Sequence, residues 1–189
     1  MKKKTIIKPA ATGFVVGIII ALALIITGCG GNNISKSYKI MQDSMNKVVS
    51  STMDLKVYDK DVEISGYTMT CEIKDGKLVV GRARTTLNAN YELETELPTF
   101  TTYDEFKRED LLYVDLSENL VSSYNNKKNV TTCVVKEENI AKVISVVSVD
   151  AKGDATVEFT IENDKVIDIS VKYDTESGNR VVIAITYNY

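Results

Sequence analysis

The sequence predicts an α+β protein: one curved antiparallel β-sheet, with a helix at its N-terminal end and another midway through the strands. Three observations point there. From Asp54 onward the apolar residues recur with a period of two. Two short stretches instead repeat at helical spacing. One alternating run, Val79 to Leu97, extends over 19 residues, far beyond the usual five or six, and a strand that long has to bend.

Ile34–Met53 reads as the first helix, with Tyr38, Met41, Met45, Val48 and Val49 on one face and Lys36, Lys39, Gln42, Asp43 and Lys47 elsewhere. Asp54–Asp59 is a short strand. Val62–Ile73 follows and changes parity at Gly66, where an extra residue would make a β-bulge. Lys74-Asp75-Gly76-Lys77 is a hairpin signal, because a type I′ turn needs the positive φ that Asp-Gly tolerates. In the returning run one parity is greasy (Val79, Ala83, Leu87, Ala89, Tyr91, Leu93) and the other wet (Arg82, Arg84, Asn88, Asn90, Glu92, Glu94). Pro98 ends it.

Thr99–Asp110 is read as a polar loop whose Phe100, Tyr103 and Phe106 tuck it onto the core. Leu111–Leu116, Leu120–Tyr124 and Asn129–Val135 are shorter strands, with a solvated turn at Asn125–Asn129. Lys136–Val147 is the second helix, with Ile140, Val143, Ile144 and Val147 on one stripe and Glu137 and Glu138 in the first turn, where the helix dipole favours acids. Ala155–Glu162, Lys165–Asp174 and Asn179–Tyr189 close the chain as a meander with one apolar face, which on Lys165–Asp174 is Ile167, Ile169, Val171 and Tyr173.

The first thirty residues divide differently. Met1–Thr12 holds Lys2, Lys3, Lys4 and Lys8 and no acid, and Gly13–Thr27 is an uninterrupted apolar run. As a helix those 15 residues reach roughly 22 Å at about 1.5 Å each, short of a hydrocarbon core of about 30 Å. The alternative is an uncleaved transmembrane helix. Ile26-Thr27-Gly28-Cys29 resembles a bacterial lipobox: an aliphatic residue, two small ones, then the cysteine that takes the lipid. The resemblance implies a signal peptide over residues 1–28, with Ile26, Thr27 and Gly28 recognised by the peptidase, and a diacylglyceryl group on Cys29. Two acyl chains suffice for stable anchoring where one does not. Residues 29–33 then form the lipidated cysteine and a Gly/Asn tether, and residues 34–189 a single domain facing outside the cytoplasm at the cell membrane.

From Cys29 on, the chain has 161 residues with 19 basic and 26 acidic side chains, a net charge of −7. That sign argues against nucleic acid. There is no histidine, which removes Ser–His and Cys–His catalysis and His-ligated metal sites. No catalytic set, metal site or cofactor motif is visible, and the expectation is a protein that is not an enzyme. Cys71 and Cys133 remain as a disulfide candidate, worth about 4 kcal/mol for a loop of about 62 residues in the chain-entropy model. The other reading of the pair is two buried thiols.

The order of elements behind a lipobox resembles the LolA/LppX-like lipoproteins, among which spore-germination lipoproteins of similar build are partners of cell-wall enzymes. That resemblance implies a half-barrel covered on its concave face by both helices. A cystatin-like or NTF2-like fold is the alternative. Three functions are consistent with this reading. The first is a non-catalytic interaction module for an envelope protein. The second is a carrier of an acyl chain or other apolar ligand, lined by Met41, Met45, Leu87, Ala89, Tyr91 and Leu93. The third is a carboxylate enzyme using Asp104, Glu105, Glu109 and Asp110.

Overall fold

The computed structural model describes residues 31–145 and 150–189. It is an α+β fold in which α1 (Gly31–Met45) and α2 (Glu137–Val143) lie against one open, curved antiparallel sheet. The strands are β1 (Ser50–Asp59), β2 (Val62–Lys74), β3 (Lys77–Leu87), β4 (Leu93–Thr95), β5 (Thr99–Tyr103), β6 (Val121–Lys127), β7 (Val130–Val135), β8 (Ala151–Glu162), β9 (Lys165–Thr175) and β10 (Arg180–Asn188). Their order is β4-β3-β2-β1-β10-β9-β8-β7-β6, with β5 also on β3. Two meanders are thus joined where the first strand pairs with the last, Met53 opposite Ile185 and Leu55 opposite Ile183.

The core lies on one face of that sheet. Met53, Val157, Phe159, Ile169, Val171, Ile183 and Ile185 point into it, Met41, Met45, Ile140 and Val143 come down from the helices, and Ile144 follows directly after α2. Local chemistry sets several junctions. Asp75 and Gly76 both have positive φ, the type I′ geometry expected, and Lys74 pairs with Lys77. The bulge of β2 falls at Ile64, two residues before the expected Gly66. Glycine at 66 answers a different need, since a Cβ there would sit 3.1 Å from the Leu55 carbonyl oxygen. A second irregularity, in β9, leaves Ile167 unpaired and puts Val166 in the core in its place.

Several expectations are corrected. The first helix ends at Met45, because the run Val48-Val49-Ser50-Ser51-Thr52 favours extended chain, and β1 starts at Ser50. Gly31–Asn33, read as tether, belong to that helix. The stretch Val79–Leu97 is no single strand. It turns back at residues 88–92, where the Asn88 carboxamide oxygen accepts the Asn90 and Glu92 N–H groups and Tyr91 takes a φ of +63°. Its parity is also the reverse of that expected. The Asp75-Gly76 turn puts Val80 opposite Cys71, Arg82 opposite Met69 and Arg84 opposite Tyr67, so the arginine-bearing parity faces inward.

The last correction concerns residues 104–120. β5 and β6 stand at opposite edges of the sheet, so the chain between them crosses its inner face. Leu111–Leu116 is not a strand. Leu112 has a φ of +65°, and the backbone is held by side chains instead of a ladder. Ser51 Oγ donates to the Leu111 carbonyl at 2.9 Å, and the Tyr187 hydroxyl donates to that of Leu112 at 2.8 Å. Leu111, Leu112, Val114 and Leu116 are buried as a consequence. Residues 125–127, expected in a turn, extend β6, and the reversal comes at Lys128, with φ +61°.

Candidate functional site

The space between α1 and the sheet is the first place to look for a ligand, and around Met41 and Phe159 it is filled. The void bounded by Met41, Leu116, Val121, Tyr124, Cys133 and Phe159 measures about 10 Å³. That is room for at most one water, against 300–1,000 Å³ for ordinary ligand sites. Met41 and Met45 are core residues.

The other four residues of the expected lining lie elsewhere. Leu87 ends β3, Ala89 and Tyr91 are in the turn, and Leu93 opens β4, at the sheet edge. α1 packs on β9, and β2, β1 and β10 separate it from β3. The six residues therefore share no cavity. Tyr91 is 86% exposed. The expectation failed because it placed both hairpin arms in one strand.

Cys71 and Cys133 are free and buried. They stand on β2 and β7 with four strands between them, and strands are spaced about 4.8 Å apart. A disulfide needs its Cα atoms within about 7 Å, so the candidate bridge is not formed. Burial pushes the Cys71 thiol up to about 11 and the Cys133 thiol up to about 12.

The loop acids have separate surroundings. Asp104 pairs with Lys77 at 2.7 Å, and the Asp110 carboxylate accepts the Lys107 N–H at 2.7 Å, closing a single 3₁₀ turn. Glu109 borders a different groove with Tyr38, Asp43, Tyr113 and Asp115. Burial, and then the Asp115 carboxylate, hold the Tyr113 hydroxyl well above its ordinary pKa. Among the described residues no group of three or more His, Cys, Asp or Glu side chains is placed to hold a metal.

Two further surfaces stand out, and sequence reasoning missed both. One is an open trough of about 330 Å³ on the β1–β3 wing, where Leu55, Tyr67 and Arg84 form one cross-strand row beside Ser65, Gly66 and Thr86. Next to it Arg82 lies against the Tyr103 hydroxyl, which raises its pKa. The register from the Asp75-Gly76 turn was the signal that would have found this row.

The other surface is the edge formed by β4 and β5. Eight large hydrophobic residues are exposed among the described residues, and five lie here: Tyr91, Leu93, Leu97, Phe100 and Tyr103. Leu97 is 90% exposed and Phe100 66%, so of the three aromatics expected to tuck inward only Phe106 packs against the core. The same stretch, residues 85–106, contains Glu92, Glu94, Glu96, Asp104 and Glu105 and no lysine or arginine. Scattered exposed apolar residues are ordinary, whereas their concentration on one edge marks a contact surface.

The lipobox residues Ile26, Thr27, Gly28 and Cys29 lie outside the described residues. Among the described residues no helix is long and apolar enough to cross a membrane. No family model matches the chain, and no curated protein matches it. It is similar to the crystal structure of LprF from Mycobacterium bovis at 10% identity, over 82% of this chain and 92% of that one, with a TM-score of 0.41. It is also similar to the dehydratase domain of RzxB from Pseudomonas fluorescens at 5% identity, over 74% and 76% of the two chains, with a TM-score of 0.23.

Proposed function

We propose that this protein is a lipid-anchored, extracytoplasmic envelope lipoprotein that acts as a non-catalytic module for binding another protein. The observation that carries the reading is the β4–β5 edge, where exposed aromatic and aliphatic residues alternate with unbalanced acids. Apolar centres with polar rims are what protein contacts are made of. The interior supports the same reading from the other side, since the void beneath α1 around Met41 and Phe159 is only about 10 Å³. A photo-crosslinking residue at Leu97 in the full-length protein in its own membrane tests it. The expected result is one discrete protein adduct, absent when the probe is at exposed Lys152 on the opposite wing. Absence of an adduct at Leu97, or equal adducts at both positions, overturns it.

A second reading is favoured by one specific observation. The Leu55–Tyr67–Arg84 trough offers a greasy floor with a cation at its rim, and at about 330 Å³ it sits at the small end of ligand sites. It suits part of an amphipathic anion such as a fatty acid. Native mass spectrometry with oleate tests it: binding that Arg84→Glu abolishes supports the trough, and binding that the substitution leaves unchanged removes it.

A further inference from the structure

The two edges of this sheet are built differently. β6, at one end, has a bulge between Val121 and Ser123, and Lys127 and Lys128 at its tip. Those are devices that keep an edge from pairing. β5, at the other end, has neither. Its sequence, Thr-Phe-Thr-Thr-Tyr, is uncharged and made of strong strand formers, and all five residues are exposed. Among the described residues it pairs only with β3, through Leu78–Arg82, so its outer row of N–H and C=O groups faces solvent.

Charge brackets that open row. β4 and β5 run in succession along the same side of β3, broken at residues 96–98 by Pro98. Glu92, Glu94 and Glu96 therefore lie beyond the Thr99 end, and Asp104 and Glu105 beyond the Tyr103 end. Lys77 neutralises Asp104. Glu92, Glu94, Glu96 and Glu105 form no ion pair among the described residues.

We infer that β5 is the seat of an added strand: an extended segment of a partner protein, with β-forming residues at its centre and lysine or arginine at both ends, pairs main chain to main chain along Thr99–Tyr103. This rests on the protein-binding reading and names its partner's chemistry. Strand addition takes affinity from backbone hydrogen bonds and selectivity from the flanking side chains. A second copy of this chain is disfavoured, because it would bring the same unpaired glutamates face to face. An anionic bilayer is disfavoured by the same charge.

The test uses the full-length protein in neutral-lipid nanodiscs and three synthetic peptides. One has a valine- and threonine-rich centre with lysines at both ends, one replaces the lysines by glutamate, and one is the lysine peptide N-methylated at alternate residues. Amide exchange at residues 99–103 is the readout. The lysine peptide is expected to slow exchange at these amides by roughly tenfold or more and to lose its hold as salt rises. The glutamate and N-methylated peptides are expected to do nothing. The triple variant E92K/E94K/E96K, all at exposed positions, should reverse the preference between lysine and glutamate peptides.

Unchanged exchange with the lysine peptide overturns strand addition, and equal protection by both charged peptides overturns the basic partner. Concentration-dependent protection without peptide would put a second copy on the edge and overturns it too. A Leu97 adduct combined with unchanged amides removes this inference while the binding module stands. No adduct removes the module itself.

Discussion

The Tyr187 hydroxyl donates to the Leu112 carbonyl at 2.8 Å, tying the last strand of the sheet to an irregular stretch laid across its inner face. Both residues are buried, and Leu112 takes a backbone conformation that L-residues seldom adopt. This crossing chain is what turns the half-barrel from a container into a solid core. Tyr187→Phe strands a buried carbonyl and should cost about 1–3 kcal/mol. Leu112→Ala opens a core void and should cost about 2–5 kcal/mol. Urea denaturation measures both, and a loss under about half a kcal/mol for either would mean that the crossing segment does not pack as described.

The same arrangement makes a prediction about the thiols. Cys71 and Cys133 are too far apart across the sheet to bridge, so the native protein should carry both reduced and show no change in melting temperature with dithiothreitol. Neither should react with iodoacetamide while folded, because burial keeps both protonated. Intact mass before and after alkylation reads this directly. A mass two hydrogens short of the reduced chain would contradict the strand order.

Alkaline pH should unfold the protein by a route these groups define. Burial raises the Cys71 thiol from 9.0 to about 11, the Cys133 thiol to about 12 and the Tyr173 hydroxyl from 10.0 to about 12. Each holds its proton longer in the native state than in the unfolded chain. The stability they contribute is complete below about pH 9, falls as the unfolded chain ionises first, and is spent once pH passes the folded values. Each thiol steepens the loss by roughly 1 kcal/mol per pH unit above pH 9. Cys133→Ala should flatten the fall between pH 9 and 11 even where it lowers stability at pH 7. Parallel curves for variant and wild type would show that the thiol is not buried in the native state.

Much of the fold was legible because side-chain chemistry acted locally. Asp75-Gly76 set its turn, and the alternation of Val181, Ile183, Ile185 and Tyr187 marked the last strand's buried face. The misses came where a distant partner decided. Leu111–Leu116 looks like a strand, but Ser51 and Tyr187 claim its carbonyls, and neither is adjacent in sequence. In β3 the alternation of Ala83 and Leu87 with Arg82 and Arg84 suggested the wrong inner face. Counting register back from the turn would have put Val80 against Cys71 and corrected it. The edge surface was obscured differently, since Asn88 is one residue among nineteen and its two backbone contacts reverse the chain.

On that edge, the Phe100 ring lies across Gly81 of β3. A Cβ at position 81 would fall 2.8 Å from the ring and 2.6 Å from Thr70 Oγ1. Gly81→Val therefore has to push Phe100, and with it β5, off the sheet. We expect a stability loss of about 1–3 kcal/mol, with faster amide exchange confined to residues 99–103. Uniformly faster exchange would mean that β5 is not the first element to leave.

The proposed anchor at Cys29 would decide where all of this happens. α1 begins at Gly31, two residues beyond Cys29, so a folded element takes the place of the expected tether. At 15 residues and about 1.5 Å each it is roughly 22 Å long. If Cys29 is lipidated, that helix starts almost at the lipid, and the module works close to the bilayer instead of ranging on a leash. Cys29→Ser should shift the protein from the membrane fraction to the soluble one, since a domain without its two acyl chains has no comparable hold on lipid. Its melting curve should be unchanged, because the core of the described residues is built from Ile40 through Tyr189. Labelling cells with a fatty-acid analogue should mark the wild type and leave the variant blank. A wild-type chain that carries no label, or that still retains residues 1–28, would place the protein on the membrane by some other means.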